Sequence, residues 1–376
     1  MRGQMMDYPL TLTPILDRAR RLYGKKEIVT KAGPTLERYT YAEFADRVGR
    51  LANALEKLGV RRGDRVATFA WNNARHFELY LAVPCMGAVL HPINLRLPGD
   101  QIAYIINHAE DQVLFVDATL LPAVEKLASH LKSVKHFVVM ADRVPPDCKL
   151  PSVYAYEELL SATGPDYPWP NLDENDAAGM CYTSGTTGHP KGVVYSHRSI
   201  FLHCMGLTMA DSLGLMERDT FLPVVPMFHV MAWGTPFACA MIGAKMVFPG
   251  PHLQPRDLAE LIQAEKVTFT AGVPTIWFGL LNLLEKERYD LSSLRAMVVG
   301  GAAAPQSMIE GFDKKHGLKV IHAWGMTETS PLGTVANLKS YQLALPEAEQ
   351  FAIRAKQGTP VPLVEIRGID EQGREI

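Results

Sequence analysis

The stretch YTSGTTGHPKG, Tyr182 to Gly192, places five hydroxyl side chains, three glycines and one lysine in eleven positions. Glycines let successive backbone N–H groups turn inward toward an anion. Thr183, Ser184, Thr186 and Thr187 add hydroxyl donors around Gly185 and Gly188, and Lys191 adds a point charge. Together these groups can hold phosphate oxygens, a combination that a merely solvated hairpin loop rarely carries. The loop is not a P-loop, which needs G-x-x-x-x-G-K-[ST] leading from a strand into a helix. Here Lys191 is followed by Gly192 and a β-branched run, so the context is strand–loop–strand.

Other residues with chemical potential lie further along. His229 stands in PMFHV, Glu328 and Thr327 stand in WGMTETS, and GGAAAP begins at Gly300. A lone histidine on an apolar stretch is usually a satisfied core residue. On local sequence alone, Glu328 reads equally as a charge at a helix N-terminus, and Gly300–Gly301 as a tight turn after a buried strand. The stretch PMFHVMAWGTPFACAMI, 226–242, is apolar with small residues interspersed. Gly234, Ala238 and Ala240 leave space, while Met231, Trp233 and Phe237 provide walls. Such a pocket suits an acyl chain, at about 0.8 kcal/mol per buried methylene. An amino-acid substrate would call for an acidic partner to its ammonium group, and none stands in this stretch.

The elements that must position these residues follow an α/β pattern. Thr13 and Pro14 predict a helix start and Gly24 its stop. Thr40 and Glu43 form a capping box, after which Phe44, Val48, Leu51, Leu55 and Leu58 share one helical face. RVATFAW, QVLFVD and KHFVVMA predict strands. HFELYLAVPCMGAV, QIAYIINHAE and LPAVEKLASHL predict the helices between them. This alternation predicts a largely parallel sheet with helices on both faces. After the polar, proline-rich stretch 163–176, AAGMCYT and KGVVYSH predict strands on either side of the phosphate loop. Helices near 197–214 and 256–265 follow, with strands at KVTFTAGVP, LRAMVVGG and LKVIHAWG. LVEIRGI alternates and DEQG predicts a hairpin turn, which suggests a β-rich unit at 351–376.

With these motifs in order, the sequence resembles the adenylate-forming superfamily: acyl- and aryl-CoA synthetases, peptide-synthetase adenylation domains and firefly luciferase. The resemblance covers essentially the whole chain. It is nearest to bacterial medium- and long-chain fatty acyl-CoA synthetases, chiefly through VVPMFHVMAW. It implies a large N-terminal domain over 1–350, built of two layered α/β subdomains with a boundary near 165–180. The start of a small β-barrel subdomain would follow.

The resemblance also implies substrates and roles. A fatty acid, ATP and coenzyme A would be the ligands, with Mg²⁺ bridging the phosphates. Thr183, Ser184, Gly185, Thr186, Thr187, Gly188, Lys191 and Thr327 would hold the phosphates. Glu328 would bind Mg²⁺, with a hydroxyl at Thr183 or Ser184 assisting. Gly300, Gly301, Ala302 and Trp324 would flank adenine; most relatives carry Tyr where Trp324 stands, so any hydrogen bond through that hydroxyl is lost. His229, Thr327, Glu328 and Lys191 would be catalytic, His229 by orientation and charge stabilisation, because a carboxylate at neutral pH needs no base. Val230, Trp233, Gly234 and Gly325 would line the acyl site, with Trp233 as its gate. The first step brings an anion toward a polyanion, and two unit charges 4 Å apart repel by about 4 kcal/mol at an effective dielectric near 20. Countercharge on the phosphates therefore outweighs acid–base machinery.

Composition bounds the alternatives. A net charge of −2 gives no reason to expect nucleic acid as a partner. Five scattered cysteines favour neither a disulfide framework nor a zinc site, and point to a reducing cytoplasm. No transmembrane run is present, while contact with a membrane surface stays open. A homodimer is implied by similarity alone. Tyr-Arg-Thr-Gly-Asp-like and hinge motifs and a C-terminal lid with its lysine are not found, so the chain reads as an incomplete large domain. Such a fragment is expected to bind nucleotide weakly, form adenylate poorly and not form thioester. An aryl- or short-acid ligase, and a non-catalytic nucleotide- or acyl-binding piece, are the competing readings.

Overall fold

The computed structural model describes Met1, residues 3–183 and residues 188–376. Its strands, in chain order, are β1 (Glu27–Ala32), β2 (Thr35–Thr40), β3 (Arg65–Phe69), β4 (Val89–Pro92), β5 (Asp111–Asp117), β6 (His136–Met140), β7 (Val153–Ala155) and β8 (Ala177–Thr183). They continue with β9 (Lys191–Ser196), β10 (Thr220–Pro223), β11 (Lys245–Phe248), β12 (Phe269–Gly272), β13 (Ala296–Val299), β14 (Val320–Gly325), β15 (Leu332–Val335) and β16 (Thr359–Pro360).

Two sheets result. The seven-stranded sheet has the order β7-β6-β5-β3-β4-β8-β9, parallel except for β9. The nine-stranded sheet has the order β16-β15-β14-β13-β12-β10-β11-β1-β2. Its six central strands are parallel, with antiparallel strands at both edges. The largest apolar cluster fills the space between the sheets, joining Val66 and Leu90 of one to Phe221, Phe269 and Val298 of the other. Two further clusters cover the outer faces, one with Leu258, Trp277 and Phe312, the other with Ile102, Ile106 and Val124. Helices therefore lie outside, between and outside again, as the α/β pattern requires.

The helix Tyr41–Lys57 has the expected capping box, with Phe44, Val48, Leu51 and Leu55 buried. Other elements differ from expectation. Helix Thr13–Tyr23 begins at Thr13, one residue before the expected first helical position Pro14, with Leu12 rather than Thr13 as its cap. The helix after Asn73 stops at Cys85, and Val89–Pro92 is a strand beside β3. All but Arg75 of these residues are buried, so no periodicity distinguished them. The β1–β2 hairpin, β7 and helix Tyr156–Ser161 are further elements that the sequence pattern did not bring forward. Helix His197–Thr208 ends six residues early, because Met209 is extended and residues 209–214 form a turn. LVEIRGI forms no strand: Leu363, Ile366 and Ile369 stay exposed, with only the bridge Ile369–Glu375 across the expected turn. An alternating pattern with nothing to bury against does not pair.

Candidate active site

The phosphate motif sits where β8 turns back into β9, with Thr183 opposite Lys191. Ser184, Gly185, Thr186 and Thr187 lie outside the described residues. The second sheet brings its strand ends to the same place. Gly300 follows β13, Trp324 and Gly325 end β14, and a single 3₁₀ turn at Thr327–Thr329 carries Glu328. Ligand sites of open α/β sheets form at such carboxyl ends. The Tyr195 hydroxyl on β9 donates to the Thr327 carbonyl at 2.7 Å and ties the two sheets together there.

One cavity of about 330 Å³ unites these parts. Thr183, His229, Thr327 and Glu328 contribute its polar lining, together with Trp324, Gly325, Gly300 and Gly301. Val230, Trp233, Val298, Ala323, Leu207, Leu213 and Leu332 contribute its apolar lining. Of the predicted residues, Lys191, Gly188 and Ala302 are exposed neighbours that do not line it. Gly234 lines a small adjoining pocket instead. Sequence reasoning did not single out Leu207, Leu213, Val298, Ala323 or Leu332, which come from separate elements.

The backbone under the apolar wall is unusual. Val230, Met231, Ala232 and Trp233 have φ of 47°, 52°, 50° and 55°, a complete left-handed turn of L-residues. Each such residue costs about 1–2 kcal/mol. Strain of this kind persists only where surroundings over-determine it, and it gathers at functional sites. His203 is one such determinant: its Nε2–H donates to the Trp233 carbonyl at 3.0 Å. Gly234, at φ 68°, follows, and a Cβ there would lie 2.4 Å from the His203 ring. The Trp233 ring in turn closes on Gly300, where a Cβ would lie 3.0 Å from it. The acyl and adenine-side segments thus meet at Trp233 and Gly300.

His229 faces the open cavity while protein surrounds it. Burial, with the Arg96 cation adding, holds its imidazole below the ordinary range, so it is neutral at neutral pH. Glu328 is the only carboxylate among the cavity-lining described residues, and no lysine or arginine lines the cavity beside it. It makes no ion pair or hydrogen bond among the described residues. One free carboxylate beside a space for phosphate fits Mg²⁺, which takes one or two carboxylates and completes its shell with water and substrate phosphates.

The chain matches the AMP-binding enzyme family over residues 16–376. It is 49% identical over 373 residues to a long-chain-fatty-acid–CoA ligase of Thermus thermophilus, covering 99% of this chain and 67% of that protein. It is 47% identical over 378 residues to a 3-methylmercaptopropionyl-CoA ligase of Ruegeria lacuscaerulensis, covering 100% and 70%. A medium-chain-fatty-acid–CoA ligase of Ectopseudomonas oleovorans is 46% identical over 375 residues, covering 99% and 69%. Among solved structures, a long-chain-fatty-acid–CoA ligase from Archaeoglobus fulgidus superposes with a TM-score of 0.84 at 25% identity, covering 100% of this chain and 74% of that one. With the family matched over nearly its whole length, the chain belongs to the AMP-binding enzymes, the family of AMP-forming acyl-CoA ligases.

Proposed function

We propose that this cavity activates the carboxylate of a medium- or long-chain fatty acid. The carboxylate oxygen attacks the α-phosphorus of ATP, the bond to the bridging oxygen breaks, and pyrophosphate leaves. The acyl-adenylate then gives its acyl group to the thiol of coenzyme A with release of AMP. The observation that carries this reading is a single cavity lined both by Thr183, His229, Thr327 and Glu328 and by the aliphatic side chains of Leu207, Leu213, Val230, Val298 and Leu332.

In this reading Thr327 donates to the α-phosphate, and neutral His229 donates one N–H to the oxygens around the reacting centre. Thr183 and Lys191, with the adjoining loop residues Ser184–Thr187, hold the outer phosphates. Glu328 would hold Mg²⁺, which would neutralise charge on the triphosphate. Trp324 and the Gly300–Ala302 backbone take the purine, and Trp233 stands between purine and acyl chain.

Non-hydrolysable acyl-sulfamoyl adenosines of three, eight, twelve and sixteen carbons, together with a benzoyl analogue, test the reading by calorimetry. Each buried methylene is worth about 0.8 kcal/mol, so affinity should rise by at least about tenfold from three to eight carbons. Equal or tighter binding of the three-carbon or benzoyl compound would replace the fatty acid with a short or aryl acid. A homodimer and docking on a membrane surface rest on resemblance. Light scattering tests the first, and sedimentation with anionic vesicles the second. No helix among the described residues is long and apolar enough to cross a membrane.

A further inference from the structure

A second cavity, also of about 330 Å³, continues the line of the first. Gly300 and Val298 line the first cavity and Ala296 the second, all on one face of β13 and its extension. Gly325 and Ala323 line the first and Ile321 the second, on the same face of β14. Leu213 belongs to both walls and stands between them. It sits on the turn after helix His197–Thr208 rather than on a regular element. Asn337 Nδ2 fixes that turn by donating to the Ser212 carbonyl at 2.8 Å.

The second chamber differs from the first in chemistry. Arg295 and Lys319 line it, and no acidic residue does. Asp219 pairs with Arg295 through Nε and Nη2, which leaves Nη1 without a partner among the described residues. Lys319, an exposed residue, has no carboxylate in reach among the described residues, and partial desolvation, with Arg354 and Arg295 adding, presses its pKa down. Ser212, 2% exposed, has a buried Oγ with no hydrogen-bond partner. A buried hydroxyl left unpaired in a chamber lined by an ion-paired arginine with one free nitrogen and by a lysine without a carboxylate partner among the described residues calls for an acceptor with negative charge.

Resting on the carboxylate-activating reading above, we infer that this chamber receives the far carboxylate of a medium-chain α,ω-dicarboxylic acid whose near carboxylate lies at His229. From Gly300 to Ala296 is four strand positions, about 13 Å at about 3.3 Å each. A zigzag chain of about ten to twelve carbons spans that distance. Ser212 Oγ, Arg295 Nη1 and Lys319 Nζ then donate to the ω-carboxylate, and Leu213 moves aside to let the chain pass.

Calorimetry on the chain with octanoic, dodecanoic and dodecanedioic acids tests this, using wild type, Ser212→Ala and Lys319→Met. The wild type should bind dodecanedioate at least about tenfold more tightly than dodecanoate, as charge-assisted hydrogen bonds to one carboxylate allow. Each substitution should remove most of that preference and leave octanoate binding unchanged. Dodecanedioate binding no better than dodecanoate, or a preference that survives both substitutions, overturns the inference while octanoate still binds. Failure of octanoate itself to bind removes the carboxylate-activating reading and this inference together.

Discussion

Tyr195 holds Thr327 by the main chain: its hydroxyl donates to the Thr327 carbonyl at 2.7 Å across two sheets. Burial, with Cys181 and Glu328 adding, pushes the phenol far above its ordinary pKa, so it remains a donor throughout the working range. The bond sets how the turn carrying Thr327 and Glu328 faces the hairpin of the phosphate loop.

Tyr195→Phe keeps the ring and removes only that donor, leaving the Thr327 carbonyl unpaired. Stability should fall by about 1 kcal/mol in denaturant titration. Binding of an acyl-sulfamoyl adenosine should weaken by about fivefold or more, because the turn loses its fixed orientation. Unchanged affinity with lowered stability would show that the bond serves the fold alone.

Glu328→Gln keeps shape and loses charge. A neutral amide is a poorer partner for Mg²⁺. Binding of ATP with Mg²⁺ should weaken by about tenfold or more, and AMP without metal should bind as before. Equal loss for both nucleotides would assign Glu328 to the fold of the turn rather than to the metal.

The left-handed turn at 230–233 gives a test of stored strain. Ala232 and Ala52 are both fully buried, the first at φ 50° and the second inside the right-handed helix Tyr41–Lys57. Glycine at either position loses the same methyl. At Ala52 it also costs about 1 kcal/mol of helix propensity. At Ala232 it relieves about 1–2 kcal/mol of left-handed strain. Ala232→Gly should therefore be about 2–3 kcal/mol less destabilising than Ala52→Gly in parallel urea titrations. Equal costs would mean that the turn is not strained.

The chemistry was legible where it is contiguous. The runs at 182–192, 226–230, 300–305 and 324–330 each carry their residue types within a few positions, and each puts at least one described residue on the cavity wall. The walls were not legible. Leu207 reaches the cavity from the end of helix His197–Thr208, Leu213 from the turn after it, and Val298 and Ala323 from two strands, so only tertiary packing gathers them. His203 looked like any helical histidine until its bond to Trp233 fixed its place. The left-handed turn left no trace in the sequence, since that conformation normally announces itself through glycine or asparagine and Val230–Trp233 holds neither. The β1–β2 hairpin was open to reading: EIVTKA and TLERYT flank Gly33 and Pro34. Its insertion beside β11 was not, because register with a strand two hundred residues away depends on the assembled sheet.

The buried histidines predict how the fold responds to acid. Burial lowers His76, His197 and His203 to a pKa of about 4, against an ordinary 6.5. His76 is fully engaged as a neutral ring, with Nδ1 3.1 Å from the Trp71 carbonyl and Nε2 2.8 Å from the Thr68 hydroxyl. The folded state refuses protons that the unfolded chain accepts below 6.5. The stability these groups allow is therefore complete above pH 6.5 and is lost as pH falls from 6.5 toward 4. At pH 5.5 each histidine has lost about 1.4 kcal/mol, and the three together about 4 kcal/mol. That is a large fraction of an ordinary domain's stability of about 5–15 kcal/mol. Urea midpoints should be flat from pH 8 to 7 and should fall steadily below 6.5. His76→Gln, which cannot take the proton, should reduce that slope by up to about a third, whatever it does to stability at pH 8. A midpoint that stays level down to pH 5, or a slope unaltered in the variant, would mean that these rings do not govern the acid response.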